Sequence, residues 1–276
     1  MKRKIFFPIL LFTLPIIVSS QSTAKEWYSK GVELKGKKDY EGALAAFKSA
    51  ILKKADYTEA YYEAGWCCNE LENYEEAIDH LKKYMPSDEK NKKNKFNELG
   101  FSYYKLQKAT EGIIEYKNTI ALSPSDGTAL RGLGNIYYEI VEDYDNAIEY
   151  FEKAVKEDEE DSKPIYYKLG WLYNDQERYD DAVKILLKAI EYDSEDSGNR
   201  EELGYAYYQK EEYEFALTQL NKAIALDDAS KLGYYYKGLC FIATNRKGEA
   251  MSMYYKLKEL DGDSATELID KINKMK

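Results

Sequence analysis

His80 is the only imidazole in 276 residues, and Cys67, Cys68 and Cys240 are the only thiols. These are the side chains that most often serve as nucleophiles, proton carriers or zinc ligands, and they are scarce. His80 stands beside Asp79 and Lys82, on what helical periodicity predicts to be a solvent face, so a solvated ring is expected. With one His and no Cys pair at a metal-ligand spacing, neither a zinc site nor a Ser/His or Cys/His nucleophile is expected. Cys67 and Cys68 are adjacent and would close a strained ring if paired, so buried structural thiols are predicted. Asp193, Glu195, Ser197 and Gly198 begin like a calcium loop, but the twelfth position is Gly204 instead of Glu. No GxxxxGK[ST] or GxGxxG phosphate loop occurs. An enzyme would need a non-histidine carboxylate pair, for which no spacing stands out. The expectation is a chain with no catalytic residue, no metal and no cofactor.

The elements that position side chains begin after an amino-terminal address. Lys2, Arg3 and Lys4 precede an apolar run from Ile5 to Val18, interrupted by Pro8 and Pro15 and followed by small or polar residues up to Ala24. The run is short of the about 20 residues a membrane-spanning helix needs. Residues 1–20 are therefore expected to be a signal peptide, with cleavage as late as residue 24 and export to the periplasm or medium. Its removal takes the net charge from -10 to -13, since three cations leave. So acidic a chain repels a phosphate backbone, and nucleic acid is excluded as a partner. The acidic run from Glu157 to Asp161 reads as a solvated loop. Twenty-eight Tyr is an excess that neither helix propensity nor solubility asks for.

Self-similarity organises the rest. Gly31, Gly65, Gly100, Gly134, Gly170, Gly204 and Gly238 follow one another at 34, 35, 34, 36, 34 and 34 residues. A large residue lies four before each, as at Trp27, Phe96 and Tyr166, Leu often lies one before, and usually an aromatic lies three after, as at Tyr103, Tyr137 and Tyr173. Twelve residues past the Gly comes a small residue and four later a bulky one: Ala43 and Phe47, Ala77 and Leu81, Ala182 and Leu186, Ala216 and Leu220, and finally Ala250 and Tyr254. Offsets of three and four are helical, so each unit reads as two amphipathic helices joined by a polar turn. In the fourth unit Ala147 comes one residue late, which places an insertion near Ile140 to Asp143. Gly112 stands where Ala is expected in the third. Ser264 is predicted to cap a last helix carrying Leu268, Ile269 and Ile272.

This pattern resembles the tetratricopeptide repeat (TPR) family, whose signature has a Trp, Leu-Gly, Tyr, Ala, Phe and Pro at these spacings. The resemblance covers residues 24 to about 262. It implies an all-α solenoid, a right-handed superhelix of helical hairpins, with seven repeats at 24–57, 58–92, 93–126, 127–162, 163–196, 197–230 and 231–262. Residues 263–276 would form a capping helix that shields the last repeat. Cys67 and Cys240 hold the same place five repeats apart, too far for a disulfide within one such solenoid.

Positions three before, one after and four after each frame Gly share one helix face. The resemblance places that face on the concave side of the superhelix, where partner segments bind. The expected site is Tyr62, Trp66, Asn69, Asn97, Phe101, Tyr104, Arg131, Asn135, Tyr138, Tyr167, Trp171, Asn174, Tyr205 and Tyr208. Tyr and Trp offer large contact area with a polar handle, and Asn can hydrogen-bond a peptide backbone. Two readings stay open for the rings one after the Gly, such as Trp66, Phe101 and Trp171: groove wall, or filler between successive first helices. Some TPR members clamp a carboxyl-terminal peptide with Lys, Asn and Arg. Arg131 and Asn135 resemble half of that clamp, but Trp171 stands where the next Asn would be, which argues against it. The expected partner is a protein or peptide in an envelope-associated complex, with no integral membrane segment after signal cleavage. The alternative is a carbohydrate-binding module of the cell envelope using the same aromatic groove.

Overall fold

A computed structural model describes residues 22–275, so the expected signal at 1–20 lies outside the described residues. The chain forms two compact units, 22–85 and 86–275. The first holds α1 (Ala24–Gly36), α2 (Tyr40–Lys53), α3 (Thr58–Glu70) and α4 (Tyr74–Lys83). The second holds α5 (Glu89–Lys105), α6 (Ala109–Leu122), α7 (Gly127–Ile136), α8 (Tyr144–Glu157), α9 (Tyr166–Asp175), α10 (Tyr179–Tyr192), α11 (Ser197–Gln209), α12 (Tyr213–Leu226), α13 (Lys231–Ala243), α14 (Lys247–Leu260) and α15 (Gly262–Asn273). Among the described residues there is no strand. Within each unit consecutive helices pack as antiparallel hairpins stacked in sequence order, and first helices also meet, as α5 with α7 and α9 with α11.

The packing rule is visible at the frame glycines, where the second helix lays a large side chain flush on the backbone of the first. A Cβ on Gly31, Gly65, Gly100, Gly134, Gly170 or Gly204 would fall 2.3 to 2.8 Å from Phe47, Leu81, Tyr116, Phe151, Leu186 or Leu220. The seventh hairpin departs from the expectation. Leu268 of α15, not Tyr254, covers Gly238, at 2.7 Å from such a Cβ. The cap helix thus supplies the plug that the last hairpin does not. Its own start is also corrected: Asp261 is the N-cap and accepts from the backbone of Ser264, whose hydroxyl donates back to Asp261. A carboxylate there also complements the helix dipole.

Each turn reverses through one left-handed residue: Lys38, Glu72, Gln107, Glu142, Glu177, Glu211 or Asn245, at φ 57 to 62°. Six turns close a backbone N–H onto the carbonyl five residues back, as Asn73 onto Cys68 and Arg178 onto Tyr173, both at 2.8 Å. The fourth closes across six, Asp143 onto Tyr137 at 3.0 Å, and Tyr137–Val141 is a π-helical turn. The inserted residue is therefore absorbed as a bulge in the end of the first helix, without disturbing α8. At Gly112 the δ-methyl of Ile136 fills the space an Ala would need, 2.8 Å from the would-be Cβ.

Candidate functional site

In unit 1 the rings of the expected site are committed to neighbouring side chains. Tyr62 packs on Tyr84 at 5.2 Å, and Trp66 meets Tyr40 edge-on at 5.5 Å. Lys35 lies 4.4 Å over Trp66 and pairs with Glu63 at 2.5 Å. Asn69 is only 5% exposed, so its expected place on an open face is corrected.

His80 is corrected as well. One turn beyond buried Ala77 and next to buried Leu81, its ring sits at the edge of the packed stripe, with Tyr61 at 6.0 Å. Its Nε2 lies 3.4 Å from Glu76, its Nδ1 is buried without a partner, and burial lowers its pKa. Donor atoms of Cys68, Glu76 and His80 lie within 4.8 Å of one another, a grouping that sequence spacing did not predict. Lys48 neutralises Glu76 at 2.6 Å, and burial pushes the Cys68 thiol up to about 12, which keeps it protonated at neutral pH. Cys67 and Cys240 are buried and raised to about 12 in the same way, as expected of structural thiols.

In unit 2 the stripe resolves into bridges and one cavity. Asn97 donates to Asp126, the N-cap of α7, at 3.1 Å, and Tyr104 donates its hydroxyl to Glu139. Lys168 reaches both Asn135 at 2.7 Å and Glu139 at 2.5 Å. Burial works to raise the Glu139 pKa, and hydrogen bonds from Lys168 and Tyr104 outweigh it and hold the carboxyl below its usual range. Arg131 is mostly buried, with one guanidinium nitrogen 3.9 Å from Asp161. Of the half clamp, Asn135 is held by Lys168, while the Nη1 of Arg131 is buried without a partner. Tyr138 is walled in by Tyr144, Phe151 and Trp171 at 6.0, 6.4 and 5.9 Å. Tyr208 leans on Tyr213 and Tyr236.

The rings one after the Gly repeat a single motif. Trp66, Trp171 and Tyr205 each meet, edge-on, the Tyr that opens the preceding second helix, Tyr40, Tyr144 and Tyr179, at interplanar angles of 81 to 82°. They are therefore inter-hairpin packing, with only part of each ring left accessible. Phe101 and Tyr167, at 37% and 38%, are the most exposed of the expected stripe aromatics.

Trp171, Asn174 and Tyr205 come together in a half-enclosed cavity of about 250 Å³, completed by Glu201, Glu202 and Tyr236 and rimmed by Asp175 and Leu232. It spans α9, α11 and α13. Asn174 was expected to be exposed and is only 3% so, because its Nδ2 donates to the Glu202 carbonyl at 3.0 Å and carboxylate at 2.8 Å. Its Oδ1 is buried and accepts nothing. Glu201 accepts from Ser230 at 2.5 Å. Burial raises the pKa of both carboxyls, and the Coulomb fields of Asp227 and Asp196 on Glu201, and of Glu201 on Glu202, add to it. Among the described residues neither has a cation partner, whereas Glu139 and Glu152 pair with Lys168 and Arg178.

Glu202 sits two before its frame Gly, a position outside the aromatic stripe. Its signal in the sequence is the interval of 28 residues from the position four after the previous Gly, shared by Lys35 and Glu63. A folded pKa above the ordinary 4.5 means that the stability tied to protonated Glu202 is present below that value and is lost as pH rises through the folded pKa. Glu202→Gln should therefore raise Tm at pH 7, with the gain shrinking toward zero as pH falls to 4.5. A gain independent of pH would refute the charge explanation.

Tetratricopeptide repeat models match residues 34–93, 127–195, and 167–231 with 201–265. No curated protein matches the sequence significantly. Among solved structures, the C-terminal part of a TPR repeat-containing protein from Cytophaga hutchinsonii superposes with a TM-score of 0.65 at 20% identity, covering 88% of this chain and 98% of that one. A tetratricopeptide repeat protein from Parabacteroides merdae gives 0.55 at 17% identity, over 91% and 98%. YrrB, described as a TPR protein with an unusual peptide-binding site, gives 0.54 at 20% identity, over 82% and 98%. At such identities the likeness is one of fold.

Proposed function

Because the chain belongs to the tetratricopeptide repeat family, we propose that it is an exported, non-enzymatic scaffold holding a peptide segment or partner protein against the first-helix face of residues 86–275. The observation that carries this reading is that the first-helix face presents two part-exposed rings, Phe101 and Tyr167, together with a cavity lined by Asn174, whose buried Oδ1 accepts nothing.

Export rests on the amino-terminal pattern and fits the start of the fold. Thr23 and Glu26 form a capping box on α1, which a cut after Ser20 preserves and a cut after Ala24 would remove. Among the described residues no helix is long and apolar enough to cross a membrane.

The test is capture from the native cell envelope by the mature protein, its start at Gln21 read by amino-terminal sequencing. Phe101→Ala with Tyr167→Ala should cut recovery of a reproducible partner at least tenfold while leaving the helical circular dichroism unchanged. Tyr138 is unsuited to this role because its ring is partly buried and packs on Tyr144, Phe151 and Trp171. Undiminished capture would remove the face from consideration, and saturable binding of an envelope glycan would transfer it to carbohydrate.

A further inference from the structure

Resting on that reading, we propose that the cavity between α9, α11 and α13 receives the guanidinium of an arginine side chain on the bound peptide. About 250 Å³ is below the roughly 300–1,000 Å³ of pockets that enclose whole small molecules, so the space suits one side chain. Its charged lining is all acidic. Glu201 and Glu202 supply two carboxylates, and the Oδ1 of Asn174, a residue only 3% exposed, has no donor. Trp171, Tyr205 and Tyr236 supply its aromatic lining, the two tyrosine rings 4.9 Å apart.

The charge is the decisive feature. Elsewhere on this face each carboxylate discussed has its cation: Asp126 has Lys93 at 2.8 Å and Glu139 has Lys168. Here two adjacent acids are half-buried, no Lys or Arg lines the space, and burial already pushes both pKa values up. A half-buried carboxylate without a cation is a destabilising arrangement that a bound cation relieves. Among cations, arginine fits the separate acceptors better than lysine. Its planar fork offers five donors, it is weakly hydrated and so loses less on entering, and its plane stacks on rings. An ammonium is a compact, strongly hydrated point charge that would satisfy one carboxylate and leave the rest of the wall unmet.

The probes are three blocked tripeptides, N-acetyl-Gly-Xaa-Gly-amide with Xaa arginine, its neutral isostere citrulline, or lysine. Binding is read from the indole N–H resonance of Trp171 in the full mature protein. The arginine peptide should shift that resonance saturably, the lysine peptide at least several-fold more weakly, and the citrulline peptide not measurably. Glu202→Gln and Glu201→Gln should each weaken the arginine peptide about tenfold or more, since each removes a charge-assisted contact from a sheltered site. Both remove a half-buried charge and so are expected to fold, which circular dichroism checks.

Citrulline binding as well as arginine, or affinity unchanged in both Gln variants, would overturn the assignment. Lysine binding as tightly as arginine would overturn the choice of guanidinium. The same Gln variants, run beside Phe101→Ala/Tyr167→Ala against the captured partner, separate the two levels. Retention by the Gln variants with loss by the aromatic variant rejects arginine and leaves the face standing; retention by all rejects both.

Discussion

Phe151→Ala is expected to remove about 3–5 kcal/mol from the stability of unit 2, a large share of what a domain of this kind possesses. The ring is fully buried and lies so close over α7 that a Cβ on Gly134 would be 2.3 Å from it. The facing residue is a glycine and Ala147 and Ala154, within a turn on the same helix, have no reach into the space it leaves. The mechanism makes a sharper claim about the pair. Gly134→Ala alone should destabilise by about 1–3 kcal/mol through overpacking. In the Phe151→Ala background the same methyl enters vacated space, so the two changes together should be less harmful than their sum. Urea unfolding followed by circular dichroism measures all three. A loss below about 1 kcal/mol for Phe151→Ala, or strict additivity of the pair, would show that the glycine is not there to admit the ring.

Leu268→Ala is expected to act just as strongly but locally, by about 2–5 kcal/mol on α13, α14 and α15. Leu268 is fully buried, plugs the face of Gly238, and belongs to a helix that has a neighbour on one side only. A stack of hairpins loses cooperativity first at its ends, so the readout should be opening of the last hairpin rather than global unfolding. Cys240 reports that opening. Its sulfur is buried in the same cluster as Leu268, and burial holds the thiol near 12, so in the native state it resists alkylation. Loss of Leu268 should speed labelling of Cys240 by roughly thirtyfold or more, from the conversion of 1.4 kcal/mol per factor of ten. Cys67 and Cys68, in the other unit, serve as the internal reference. An unchanged Cys240 rate would mean that α15 does not close the hairpin it covers.

Much of the fold was legible before any coordinates, and the parts that were not have a common cause. The interval of 34 residues, the frame glycines and the bulky residue sixteen later identify the hairpins and the plugs Phe47, Leu81, Leu186 and Leu220, because these contacts form within one hairpin. The seventh plug was misread as Tyr254 because it comes from a helix with a different register. The insertion before Asp143 was visible as a count, but not its form as a π-helical turn, which depends on how α7 and α8 must meet. His80 was misplaced because two helices, not one, decide whether a face is wet. Asn69 and Asn174 were misplaced for the same reason.

The site divides along that line too. Sequence alone determined which helix face carries the aromatics, since 3.6-residue periodicity puts positions three before, one after and four after each glycine on one side. Only the tertiary structure decided which of them remain available. Stacking turns Trp66, Trp171 and Tyr205 into spacers, ties Asn135 and Tyr104 to ions of the next repeat, and leaves Glu201 and Glu202 half-buried in acidic fields with no cation. Periodicity is a property of one helix, but burial, pairing and unmet charge are properties of neighbours brought together across intervals near 28 residues, which no single helix records.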